Sequence, residues 1–225
     1  MATETHHHDD GHAHDHEDVR VHPHDHAPDE SDRLSYYQRM EVAVRELLIA
    51  KGIIDADEMR RAVEAMDART PAQGAKVVAR AWVDPAFRQR LLDNGTEACR
   101  ELGIEMGPTK LVVVENEPGI HNLIVCTLCS CYPRMVLGLP PDWYKSRGYR
   151  SRAVREPRAV LAEFGTVLPE AVTVRVHDST AMVRYLVLPL RPKGTDHYSA
   201  QQLEALVTRD TMIGVVPVRL EGSSS

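Results

Sequence analysis

The apolar positions of this chain change period about halfway along, dividing it into a helical first half and a mixed second half. Between Leu34 and Lys51, Tyr37, Val44, Leu47 and Leu48 recur at helical spacing, and Gly52 stands where a glycine closes a helix. Asp55 with Glu58 begins a capping-box pattern. Met59, Val63 and Met66 then return at intervals of four and three, which predicts a second helix with a packing stripe. Ala72 to Arg80 continues helically. Asp84-Pro85 supplies an N-cap with proline in the first turn for a helix through Leu92, and Thr96 to Leu102, closed by Gly103, makes a short one.

Beyond Gly103 the period shortens. Leu111 to Val114 and Leu123 to Val125 are β-branched runs flanking the turn sequence Glu117-Pro118-Gly119. Pro157 to Phe164 reads as a helix with Gly165 behind it, Val172 to Val176 and Met182 to Leu188 as strands, and Ser199 with Gln202 opens a helix to Val207. A last strand is expected over Ile213 to Val218. The fold class is therefore α+β: an N-terminal helical arm followed by a layered α/β/β/α-type domain. The expected division is a tail over residues 1–33, a helical arm over 34–70, the main α/β domain over 71–218 and a flexible C-terminus over 219–225.

Composition narrows the function classes. With 43% hydrophobic and 27% charged residues in 225, the chain suits a soluble domain, and no apolar run reaches the roughly 18 residues of a membrane span. No basic stretch followed by an apolar one opens the chain, so the reducing cytoplasm is the expected compartment. Residues 1–33 carry ten acidic side chains against Arg20 and Arg33, a charge of −8 out of −6 overall, which leaves the body at +2. A body so nearly neutral lacks the positive footprint that nucleic acid demands. Nine of the twelve histidines lie between His6 and His26 among Asp and Glu. That segment reads as a solvated, disordered tail, with weak divalent-metal binding as an incidental property.

Cysteine placement is the informative anomaly. Three of four cysteines, Cys126, Cys129 and Cys131, fall within six residues just after a predicted strand, while Cys99 stands alone in a helical pattern as a small buried hydrophobe. A loop anchored on a sheet is a common seat for a site. A structural zinc site would take these three thiolates with Cys99 or His121 as the fourth ligand. Cys126 and Cys129 could instead form a redox dithiol, although such motifs open a helix and have no use for a third sulfur. A third reading uses the backbone. A metal bound to the Cys129 and Cys131 sulfurs also reaches the amide nitrogens of Ser130 and Cys131, closing unstrained five- and six-membered chelate rings. Cys126 then caps one axial side and the opposite position stays open, as Lewis-acid catalysis requires. Amide nitrogen binds only after losing its proton, so this reading calls for a strongly acidic, trivalent ion.

The run Cys126-Thr127-Leu128-Cys129-Ser130-Cys131 resembles the metal loop of nitrile hydratase α subunits and of the related thiocyanate hydrolase γ subunit. The likeness continues through Lys76-Val77-Val78-Ala79, Leu137-Gly138-Leu139-Pro140-Pro141, Trp143-Tyr144-Lys145, Tyr149-Arg150-Ser151-Arg152 and Val207-Thr208-Arg209-Asp210, so it spans about residues 35 to 215. It implies a non-corrin cobalt or non-haem iron centre held by the sulfurs of Cys126, Cys129 and Cys131 and the main-chain nitrogens of Ser130 and Cys131. Threonine after the first cysteine marks the cobalt enzymes and serine the iron ones, so Thr127 points to low-spin Co(III). The same likeness implies a sulfinic acid at Cys129, a sulfenic acid at Cys131 and a thiolate at Cys126.

The activity implied is hydration of a nitrile to an amide, with Cys131 and Cys129 at the reacting centre. The partners implied are a small nitrile substrate, an obligate β-type subunit in an α2β2 assembly whose arginines hold the oxidised sulfurs, and a metallochaperone or activator. Thiocyanate hydrolysis to carbonyl sulfide and ammonia is the alternative. Pro133-Arg134 departs from the Pro-Trp of nitrile hydratases, and Met135 replaces a common proline. Arg134 would attract an anion.

Overall fold

The computed structural model describes residues 35–220, so the tail expected to be disordered, and residues 221–225, lie outside the described residues. The chain divides into two compact units at Asp55–Ala56. In the first lies α1 (Tyr36–Ala50), whose N-terminus is fixed by a capping box: the Gln38 N–H donates to Ser35 Oγ and the Ser35 N–H to Gln38 Oε1. Its C-terminus closes at Gly52, where the Gly52 N–H reaches Ile49 O and the Ile53 N–H reaches Leu48 O, the paired bonds of a Schellman motif. No residue of α1 is buried; Tyr36, Tyr37, Met40, Val44 and Leu47 are all exposed.

The second unit opens with α2 (Ala56–Asp67), so the two helices expected to share one arm fall in different units. Neither Val63 nor Met66 of α2 is buried. Next come α3 (Ala72–Val83), α4 (Pro85–Asp93) and α5 (Gly95–Glu101). The Asp84 carboxylate caps α4 by accepting the Ala86 and Phe87 N–H groups, each at 3.0 Å. The inner faces of these helices bring Val77, Val78, Phe87, Leu91, Ala98 and Cys99 into the core.

Among the described residues four strands form two parallel pairs. β1 (Lys110–Glu115) pairs with β4 (Val183–Leu188), in register from Lys110↔Val183 to Glu115↔Leu188. β2 (Ile120–Val125) pairs with β3 (Thr173–Asp178), from Ile120↔Thr173 to Val125↔Asp178. The turn at Glu117 to Gly119 leaves only an isolated bridge between Glu117 and Ile120, so β1 and β2 do not form a hairpin ladder with each other. Parallel partners need long crossovers. The crossover here carries the cysteine loop and four helices: α6 (Arg134–Leu137), α7 (Asp142–Lys145), α8 (Arg147–Arg155) and α9 (Pro157–Glu163). β2 is buried from His121 to Val125 without alternation, the mark of a strand covered on both faces. Its covering includes α8, while α4 and α5 pack on β1 and α9 on β3.

One helix carries no sequence signal, and one expected strand needs correction. Residues 147–155 form a helix that polar periodicity hides, because only Tyr149 and Ala153, one turn apart, are buried. The strand expected over Ile213 to Val218 is absent. After α10 (Ala200–Leu206), Thr208 and Thr211 form a capping box for α11 (Arg209–Ile213), which ends at Gly214 with φ +91°. A Cβ at Gly214 would lie 2.0 Å from the Asn122 carbonyl oxygen, so the chain crosses β2 as a left-handed turn only glycine permits. The apolar run that follows satisfies its carbonyls with side chains: His121 Nε2 donates to Gly214 O and Thr166 Oγ1 to Val215 O. Among the described residues no helix is long and apolar enough to cross a membrane.

Candidate metal centre

The cysteine loop leaves the buried end of β2 and is tied down from several sides. The Ser179 N–H donates to Val125 O at 2.7 Å, continuing the β2–β3 ladder. Asp178, paired with Val125 in that ladder, accepts the Thr127 N–H at 2.9 Å and the Thr127 hydroxyl at 2.5 Å. From the helical crossover, Tyr149 Oη donates to Ile124 O, Tyr144 Oη to Cys131 O at 3.0 Å, and Arg150 Nη1 to Cys129 O at 2.8 Å. Burial pushes both phenols far above their ordinary range, so they remain donors.

These ties bring the three sulfurs together. Cys126 Sγ lies 3.5 Å from Cys129 Sγ, which lies 3.3 Å from Cys131 Sγ, and all three fall within 4.8 Å of one another. Cys126 is buried, Cys131 half-buried and Cys129 exposed, and none is in a disulfide. The Cys129 thiol is held down to about 7, first by hydrogen bonding with the Cys131 thiol, then with Cys126, and by the Ser130 and Cys131 backbone N–H groups. Burial, then the shared bond with Cys129, pushes the Cys131 thiol up to about 12.

The donor set fits a metal. With metal–sulfur bonds of about 2.3 Å, two sulfurs at a right angle lie roughly 3.3 Å apart and two at a tetrahedral angle roughly 3.8 Å apart. The Cys129–Cys131 spacing matches the right-angled arrangement, and the Cys126–Cys129 spacing falls between the two. The zinc reading needs a fourth protein ligand, and among the described residues no further His, Cys, Asp or Glu joins the cluster. Cys99 is buried within α5, and His121 is engaged with Gly214 O. His177 binds Asn122 Oδ1 through Nε2, at 2.8 Å.

A cleft of about 540 Å³ opens over Cys129, Ser130 and Cys131, and Arg69, Arg134 and Arg184 line it with Met135. Sequence reasoning located the four loop residues and Arg134 but gave no role to Asp178, Tyr144, Arg69 or Arg184. Tyr144 and Arg150 lie in segments the resemblance had already marked; Asp178 carried no local signal.

A loop that gathers three thiols and leaves a cleft in front of them is the metal site of a sulfur-ligating protein. The family model described as "Nitrile hydratase, alpha chain" matches residues 35–216. The low-molecular weight cobalt-containing nitrile hydratase subunit alpha of Rhodococcus rhodochrous is 53% identical over 175 residues, covering 77% of this chain and 84% of its own length. The thiocyanate hydrolase subunit gamma of Thiobacillus thioparus is 42% identical over 196 residues, covering 82% and 81%. A solved double mutant of the Fe-type nitrile hydratase from Comamonas testosteroni Ni1 superposes with a TM-score of 0.78 at 40% identity, covering 84% of this chain and 96% of that one. The chain belongs to the nitrile hydratase α-chain family.

Proposed function

We propose that this chain is the metal-bearing α subunit of a cobalt-type nitrile hydratase, converting nitriles to amides. The observation that carries the reading is the convergence of three sulfurs around the Cys129-Ser130-Cys131 stretch. The ligands are the Cys126, Cys129 and Cys131 sulfurs and the Ser130 and Cys131 nitrogens. Thr127, and a relative at 53% identity named as cobalt-containing, favour cobalt over iron. Bound there, Co(III) supplies Lewis-acid polarisation of a carbon–nitrogen triple bond.

The chain's own residues do the rest. Cys129 as the sulfinic acid and Cys131 as the sulfenic acid present oxygens to the cleft, where arginines of a β-type subunit hold them. Water held by the Cys131 oxygen adds to the nitrile carbon and its two protons pass to nitrogen, giving the amide; where the Cys131 oxygen itself adds first, a water restores that oxygen on sulfur as the amide leaves. Tyr144 and Asp178 keep the loop fixed from outside the ligand set, the part that outer partners play at metal sites. The exposed apolar side chains of α1 suit an arm that wraps the β-type subunit in an α2β2 assembly. The assembly is cytoplasmic, and an activator protein loads the metal.

Arg134 supports a second reading. Three guanidiniums line the cleft, a lining that suits an anion such as thiocyanate better than a neutral nitrile. Co-production with the β-type subunit in cobalt medium, followed by assay of an aliphatic nitrile and of thiocyanate, separates the two. Amide formation in excess of carbonyl sulfide is expected; carbonyl sulfide alone would overturn the first reading in favour of the second.

A further inference from the structure

Arg150 is placed unlike its neighbours on α8. Arg152 pairs with the Glu156 and Glu163 carboxylates, and Arg155 turns back to the Ser151 carbonyl. Arg150 has no carboxylate partner among the described residues. Its Nε is buried without a hydrogen-bond partner, and its Nη1 donates at 2.8 Å to Cys129 O. A part-buried cation facing no anion is expensive unless something nearby supplies negative charge.

Cys129 O belongs to the same peptide group as Ser130 N. The Cys129–Ser130 peptide is trans, so this oxygen and the N–H of this nitrogen point to opposite sides of the C–N bond. On one side the guanidinium holds the oxygen, and the Ser130 N–H lies on the other. Resting on the reading that Ser130 N is a metal ligand, we propose that Arg150 is a positioning residue for the metal. It fixes the plane of the Cys129–Ser130 peptide and balances the negative charge that peptide carries when its nitrogen is bound. In coordination the N–H bond gives way to an N–metal bond and the proton passes to water. Peptide resonance then places much of the remaining charge on the oxygen Arg150 already holds. The hydrogen bond becomes charge-assisted on both sides, and such bonds are the strong ones.

The test uses the complex of the full chain with its β-type subunit, produced with cobalt, and reads the rate at which a strong chelator removes cobalt. It also reads the sulfur-to-metal absorption band. Arg150→Gln, which keeps a donor but not the charge, should release cobalt about tenfold faster or more and shift the band. Arg150→Lys should fall between Gln and wild type, and Arg155→Gln should match wild type. Wild-type release from a folded Arg150→Gln complex overturns the proposal. If Arg150→Gln does not assemble, Arg150→Lys decides by the same rate, and failure of both to assemble also overturns it by making Arg150 a folding residue. A wild-type complex that holds zinc on thiolates alone refutes the underlying metal reading instead, an outcome visible before any variant is made.

Discussion

Asp178, the last residue of β3, holds Thr127 with both carboxylate oxygens, one accepting the backbone N–H at 2.9 Å and the other the hydroxyl at 2.5 Å. Because Asp178 is also the register partner of Val125, the β2–β3 ladder and the cysteine loop are locked together at one point. Asp178→Ala removes both bonds from an exposed position, so the fold should survive while cobalt retention or activity falls by about 10- to 100-fold. Thr127→Ser keeps both donors and should retain the clamp. Metal content and turnover of the purified complexes check this; full activity in Asp178→Ala would show that the ladder alone holds the loop.

Thiol reactivity should separate the cysteines in the metal-free chain. The Cys129 thiol is held down to about 7 by its sulfur and backbone partners, so its thiolate fraction is large at pH 7 to 8, while burial pushes Cys99 up to about 12. Since the thiolate is the nucleophile, alkylation of Cys129 by iodoacetamide should rise with pH through about 7 and then level off. Cys99 should stay unmodified until the chain unfolds. Peptide mass mapping across a pH series reads both, and early modification of Cys99 in folded protein would contradict the assignment.

Glycine positions give a test of the fold that is independent of the metal. Gly214→Ala combines φ +91° with a Cβ placed 2.0 Å from Asn122 O, and should cost about 3 kcal/mol or more. Gly165→Ala shares a positive φ but meets nothing within 4 Å, and should cost only about 1 kcal/mol. Urea unfolding of the two variants measures the difference; equal losses would mean that the crossing over β2 is looser than described.

Arg134 is exposed at the cleft, so its charge should act on anions more than on neutral ligands. Arg134→Ala should weaken inhibition of nitrile turnover by small anions by about two- to fivefold and leave the nitrile KM nearly unchanged. An unchanged anion response would remove Arg134 from the substrate path.

What the sequence could disclose follows from the range of each interaction. The Ser199–Gln202 capping box, the Asp84-Pro85 start and the glycine stops at Gly103 and Gly165 are local, and each ends up where its pattern places it. The parallel pairing of β1 with β4 and β2 with β3 spans the whole helical crossover and leaves no local mark. The segment after Ile213 is apolar because it is buried, not because it is a strand. The sulfurs are legible because all three lie within six consecutive residues. Their supports were not: Asp178 lies 51 residues from Thr127, Arg150 lies 21 from Cys129 and Tyr144 lies 13 from Cys131, and only the fold brings them back.

X-ray absorption spectroscopy of the intact complex, produced with cobalt and its partner subunit, tests the central claim most directly. Low-spin Co(III) in a six-coordinate shell of three sulfurs, two light atoms at amide-nitrogen distance and one exchangeable ligand is the expected result. A four-coordinate shell of thiolate sulfur with no nitrogen contribution from the main chain would contradict it.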